Sequence, residues 1–212
     1  MEDFIRARSD AQKAARMAEI KAAADALFSA QPYPTITLSA IAGELSWTRA
    51  NLYKYVTSKE EIYLELAADK MNAYFDALMA AFPAGCSYTR AVFCEVWAEI
   101  LAAHTDYLRY ADVLGSIIES NVTVERLAAF KANYYARAAE ADARFGALLG
   151  ISAAEADKIL LAVLYHAIGY SGICYRSPLI REALALAGIT PQPVDFRTEL
   201  RRFIGILVAA RG

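Results

Sequence analysis

Thr35 to Ile62 reads TITLSAIAGELSWTRANLYKYVTSKEEI, and its spacing decides the fold. Two short apolar-patterned segments, Leu38–Leu45 and Arg49–Tyr55, meet at the turn Gly43-Glu44-Leu45-Ser46-Trp47. Thr37 and Thr48 each precede a segment, and a hydroxyl oxygen there accepts from the free amides of a first helical turn. Ser58 and Glu61 then form a capping box that opens a third helix. Two helices joined so tightly make a helix-turn-helix, whose second helix fits the DNA major groove. Leu38, Ile41, Ala42, Leu45, Trp47 and Leu52 are its expected core, which leaves Arg49, Asn51, Lys54 and Tyr55 facing outward.

The outward residue types suit nucleic acid. An arginine donates a bidentate pair to guanine and an asparagine bonds both ways with adenine. Lys54, Lys59 and the hydroxyls of Thr48, Tyr53 and Tyr55 are of the kind that hold phosphates. Lys59 also sits where a helix N-terminus already attracts an anion.

The rest of the chain carries helical periodicity. A first helix is expected from Ser9 to Ser29, ended by Gln31-Pro32-Tyr33-Pro34, and the capping-box helix runs to the residues before Pro83. Further helices are expected at Tyr88–His104, Asp106–Ile118, Val124–Leu149, Ala153–Tyr175, Leu179–Leu186 and Phe196–Ala210, with caps at Ser87, Thr105, Thr123, Ser152 (boxed with Glu155) and Asp195. Gly150 and Gly188 suit helix ends. The expectation is an all-α chain: a three-helix DNA-binding head over residues 1–60 and a larger helical effector-binding and dimerisation domain over 61–212.

Composition narrows the function classes. With 212 residues, 57% of them hydrophobic, the chain can bury a sizeable core, whereas ten glycines and six prolines are too few for a turn-rich β-sandwich. A net charge of −2 argues against coating nucleic acid or anionic membrane wholesale. Residues 1–59 nevertheless hold eight Lys or Arg against six Asp or Glu, a local excess of +2. Cys86, Cys94 and Cys174 have neither metal-finger nor CxxC spacing and read as reduced thiols; with no signal-type apolar run at the N-terminus, the expected location is cytoplasmic. The apolar stretch 159–175 is broken by His166, Gly169, Ser171 and Gly172, so no membrane span is expected.

From Arg16 to Ile62 the chain resembles the TetR/AcrR-type transcriptional repressors. The likeness rests on Ile20, Ala24, Leu27 and Phe28 in the first helix, on Thr37 and Ile41-Ala42, on Thr48-Arg49-Ala50-Asn51-Leu52-Tyr53-Lys54-Tyr55, and on Ser58-Lys59-Glu60-Glu61. The resemblance implies an all-helical homodimer, with Thr48 and Arg49 beginning the recognition helix, Asn51 on its base-facing side, and Tyr53, Tyr55 and Lys59 at backbone-contacting positions. Thr37 and Lys54 complete the set expected to face double-stranded DNA. Three positions depart from the pattern: Ser46 stands where the turn usually has glycine, Trp47 replaces a smaller apolar residue, and Val56 replaces phenylalanine. A serine at that turn would be strained if its φ were positive.

Signals beyond the head are compositional. Trp97, His104, Tyr107, Tyr134, His166 and Tyr170 are candidates for a pocket that takes an apolar or aromatic small-molecule effector, because rings with polar tips commonly line such sites. Neither histidine has a metal-ligand partner at convincing spacing, so no metal or other cofactor is expected. Ile159, Leu160, Val163, Ala167 and Tyr170, with Phe196, Leu200, Phe203, Ile204 and Leu207, are expected to join two subunits through helices near 153–175 and 196–210. The function expected is a ligand-responsive, non-enzymatic repressor; the alternative is a helical small-molecule-binding protein or enzyme with a vestigial head.

Overall fold

The computed structural model describes residues 2–174 and 178–210, and among them there are ten α-helices and no strand. They are α1 Glu2–Ala30, α2 Leu38–Glu44, α3 Arg49–Leu52, α4 Lys59–Ala81, α5 Arg90–Ala103, α6 Thr105–Val113, α7 Val124–Leu149, α8 Ala153–Cys174, α9 Pro178–Leu186 and α10 Phe196–Ala209. The fold is all-α, with an N-terminal helix-turn-helix and a C-terminal helical part. Tyr175, expected to close the eighth helix, lies outside the described residues.

Local chemistry explains most boundaries. Thr37 accepts from the Ala40 amide, Thr48 from Asn51, Thr123 from Arg126 and Asp195 from Thr198, each capping the helix it precedes. Ser152 and Glu155 close a full reciprocal box. At the start of α4 the box is only half made: Glu61 donates its amide to Ser58, but its carboxylate accepts from the Thr57 amide and hydroxyl instead. Two expected caps fail. α5 begins later, with Thr89 rather than Ser87 as its cap, and Thr105 is itself the first residue of α6. Beyond Val113 the chain does not continue as α-helix but widens into a π-turn over Leu114–Ile118 and then a 3-10 turn over Glu119–Asn121.

The chain divides into two compact units. The first holds residues 1–69 together with 113–130, so the start of α7 belongs with the head. Ile20, Ala24, Ile41, Leu52 and Ile62 are wholly or almost wholly buried in it. Phe28, Tyr33 and Tyr63 meet edge to face, and the Tyr63 hydroxyl donates to the Ala24 carbonyl at 2.8 Å. Arg126 near the start of α7 reaches Glu61 and Glu65 of α4, each at 3.3 Å.

The second unit holds residues 70–112 and 131–212. Its centre is aromatic: Phe82, Phe93 and Phe145 lie 5.0–5.3 Å apart, and Trp97 packs on Phe145 at 4.8 Å. α10 lies against α5 and α8. That packing changes the reading of the expected dimer faces. Ile159, Leu160, Val163, Ala167, Phe196, Leu200 and Ile204 are all buried inside this single chain, so they are already covered without a partner. Tyr170, Phe203 and Leu207 of the expected set remain half-buried, and α8 and α10 also expose Tyr165, Ile173 and Ile206. Among the described residues no single helix is long and apolar enough to cross a membrane.

Candidate nucleic-acid interface

α2 ends in a Schellman turn, the hydrogen-bonded left-handed stop common at helix C-termini. The Trp47 amide donates back to Ala42 at 2.8 Å and the Ser46 amide to Gly43 at 3.0 Å. This turn needs a left-handed residue, and Ser46 supplies it at φ 54°, the only non-glycine at positive φ among the described residues. The ends of α7 and α9 are built similarly, but there Gly150 and Gly188 take the left-handed position at φ 69° and 67°. Ser46 therefore carries strain that the other two ends avoid.

The turn delivers α3 with its first residues uncovered. Arg49 and Lys54 are exposed, Tyr53 is 44% exposed, and Asn51 and Tyr55 are half-buried. The Arg49 guanidinium folds back on its own helix, donating to the Tyr53 hydroxyl at 2.8 Å and lying over that ring. The pair is spaced four residues apart, so both lie on one face. Leu52 and Val56 turn inward and are buried, which fixes the face that α3 presents.

Trp47 belongs to this surface more than to the core. It is half-exposed, with the Tyr55 ring 5.7 Å and the Arg16 guanidinium 5.6 Å from its own ring. Neither Trp47 nor Arg16 stands out in the sequence as a surface residue of the motif. The available signal was the departure itself, a large amphipathic ring where a small apolar side chain suffices.

The hydroxyls of Thr37 and Thr48 accept the cap bonds described above, so what they retain for a ligand is the proton. Lys59 is engaged more heavily. Its ammonium donates to the Ile36 carbonyl at 2.7 Å and the Tyr33 carbonyl at 3.2 Å, and stands 4.3 Å from the Tyr33 ring centre. The Tyr33 hydroxyl in turn donates to Glu60 at 2.9 Å, and burial pushes its pKa well up, so the ring stays neutral. Lys59 thus ties α4 to the short 3-10 turn that leads into α2, with one donor left over. Lys54 is the uncommitted cation of the set among the described residues.

Two family models match this chain. One, described as bacterial regulatory proteins of the tetR family, covers residues 20–66; the other, a tetracyclin repressor-like C-terminal domain, covers residues 68–209. The chain belongs to the TetR family of transcriptional regulators. Its helix-turn-helix is the DNA-binding domain of that family. Solved TetR-family structures share the fold. The regulator PfmR from Thermus thermophilus aligns at 17% identity and TM-score 0.60, covering 90% of this chain and 97% of its own. A TetR-family regulator from Rhodococcus RHA1 aligns at 17% identity and TM-score 0.62, covering 92% and 96%. The fatty acid degradation regulator FadR from Bacillus halodurans aligns at 12% identity and TM-score 0.60, covering 91% and 94%. No curated protein sequence matches the chain.

The residues expected in an effector pocket fall into two groups. Trp97, His104, Tyr107 and Tyr134 gather around Tyr74 and Phe75. The Trp97 indole donates to the Tyr74 hydroxyl at 2.9 Å, the Tyr107 ring stacks on Tyr74 at 5.2 Å, His104 meets it edge-on, and Tyr134 packs against Phe75. Trp97 and Tyr107 are buried. His166 and Tyr170 instead stack in a row with Phe203 and Phe196, with His166 3.8 Å from the Phe203 ring. None of the six lines the cavity of about 540 Å³ that opens between α5 and α10, whose walls include Arg90, Val92, Cys94, Glu95, Arg201, Gly205 and Val208.

Proposed function

We propose that this TetR-family protein is a repressor that binds a partly palindromic operator as a homodimer and is released or recruited by a small-molecule effector. The observation that carries the reading is the surface made by α3 and its turn. A capped recognition helix presents Arg49, Asn51, Tyr53 and Lys54, with Trp47 and Tyr55 beside it. Arg49 and Asn51 read base edges, while Thr37, Thr48, Tyr53, Lys54, Tyr55 and Lys59 hold the phosphate backbone.

A monomer reads one half-site. Two heads placed about 34–36 Å apart fit successive major grooves, so a palindromic site calls for a two-fold dimer. The exposed faces of α8 and α10, with Tyr165, Ile173 and Ile206, supply apolar surface for that contact. The division of labour gives residues 1–60 the reading role and 61–212 effector binding and dimerisation, in a cytoplasmic protein with no catalytic step. An effector that favours one head separation over another changes operator affinity by population shift.

Selection of genomic fragments by the purified protein at moderate salt tests this. The expected outcome is an enriched dyad-symmetric motif near a promoter. Enrichment of no sequence would remove the operator reading and favour a helical small-molecule-binding protein.

A further inference from the structure

We propose that the cavity between α5 and α10 binds an apolar monocarboxylate, and that this is where the effector acts. Tyr74, Trp97 and Tyr107 at the centre of the aromatic cluster are buried against one another, whereas this cavity, at about 540 Å³, falls within the range of small-molecule sites. Its floor is apolar, built from the buried Cys94 and Val208, with the exposed Val92 beside them. The polar groups are few and of defined sign. Arg201 pairs with Glu95 at 3.1 Å, a carboxylate that Arg197 also reaches at 3.9 Å. Arg90 has no partner among the described residues, so two arginines and one glutamate leave the walls at +1, in a chain whose net charge is −2. A carboxylate head at Arg90 gains a charge-assisted, bidentate hydrogen bond, and an alkyl or monocyclic tail covers the floor. A dianion leaves one charge unmatched, and a cation meets Arg90 directly.

Gly205 makes the site testable without harming the fold. It lies within α10 on the cavity wall, and a Cβ added there meets nothing within 4 Å. A side chain at 205 therefore grows into empty space, and leaving glycine favours the helix.

The inference extends the ligand-responsive reading above and rests on it for the consequence at DNA, but binding is measured without DNA, so the two fail separately. Sodium decanoate is titrated calorimetrically into the full-length protein, with decan-1-ol as the neutral probe. The wild type and Gly205→Ala, which leaves room, are expected to bind decanoate alike and decanol about tenfold more weakly. Arg90→Gln is expected to lose about tenfold for decanoate and nothing for decanol, and Gly205→Trp is expected to lose binding of both. Sedimentation of the Gly205→Trp variant at wild-type mass completes the expected pattern. Absence of decanoate binding, or equal binding by Gly205→Trp, would overturn the site. A change of oligomeric mass in Gly205→Trp would also overturn it, assigning the groove to a second copy of the chain. Decanoate binding that leaves the affinity for a selected operator unchanged would support the site and remove its effector role.

Discussion

Asp142 offers a stability test that depends on its neighbours alone. It lies on α7, is 7% exposed, and one carboxylate oxygen has no hydrogen-bond partner. Burial first, and the nearby Asp157 second, push its pKa from 3.8 to about 6. A carboxylate whose folded pKa is raised binds its proton more tightly in the native state. Its penalty is therefore fully present above the folded pKa and fades as pH falls from about 6 towards the unfolded value. Two pKa steps correspond to about 3 kcal/mol. Asparagine keeps the shape and removes the charge, but a buried amide still lacks partners, which returns about 1 kcal/mol. Asp142→Asn is thus expected to stabilise the protein by about 1–2 kcal/mol at pH 7.5 and by nothing, or slightly the reverse, at pH 4. Urea denaturation followed by circular dichroism at fixed protein concentration gives both values, and other titrating groups cancel in the difference between variant and parent. A difference that is the same at the two pH values would refute the reasoning, as would destabilisation at pH 7.5.

Ser46→Gly is expected to gain about 0.5 kcal/mol, because relief of about 1 kcal/mol of left-handed strain outweighs the extra freedom of glycine in the unfolded chain; thermal unfolding would show it, and a loss would mean that Ser46 has a compensating contact. Lys59→Met removes two donors from the Ile36 and Tyr33 carbonyls and is expected to cost about 2 kcal/mol in urea unfolding as well as weakening DNA binding of every sequence. Unchanged stability with weaker DNA binding would reduce Lys59 to a phosphate contact. Arg49→Ala is expected to flatten discrimination between operator and mutated operator, while Lys54→Ala weakens both about equally and lowers the salt dependence of binding; fluorescence anisotropy on the two duplexes separates them. Retained discrimination in Arg49→Ala would move base reading elsewhere on α3.

The features legible in the sequence are those fixed by bonds a few residues long. Thr37, Thr48, Asp195 and the Ser152–Glu155 box cap the helices their spacing indicates, and the left-handed strain at Ser46 follows from a serine standing at a Schellman position. The less legible features depend on distant partners. Glu61 leaves its box because its carboxylate accepts both the amide and the hydroxyl of Thr57 and faces the charge of Arg126, sixty-five positions on. Lys59 turns from the surface because the 3-10 turn at Tyr33–Thr35 brings carbonyl oxygens beside it. The apolar stripes of α8 and α10 look the same in sequence whether a neighbouring helix or a second subunit covers them; packing of α10 against α5 and α8 buries most of them and leaves Tyr170, Phe203 and Leu207 half-buried. The aromatic residues of the second unit are similar: their number does not say whether they pack on one another or line a pocket, and Trp97, Tyr74 and Tyr107 are buried against one another.

The central claim is that α3 reads DNA as half of a two-fold pair, and hydroxyl-radical footprinting on a selected genomic fragment addresses it most directly. The account predicts protection in two symmetric windows whose centres lie about one helical turn or a small multiple of it apart, with both windows lost together in Arg49→Ala at a concentration that saturates the wild type. Uniform protection along the fragment, or a single unpaired window that persists in Arg49→Ala, would contradict it.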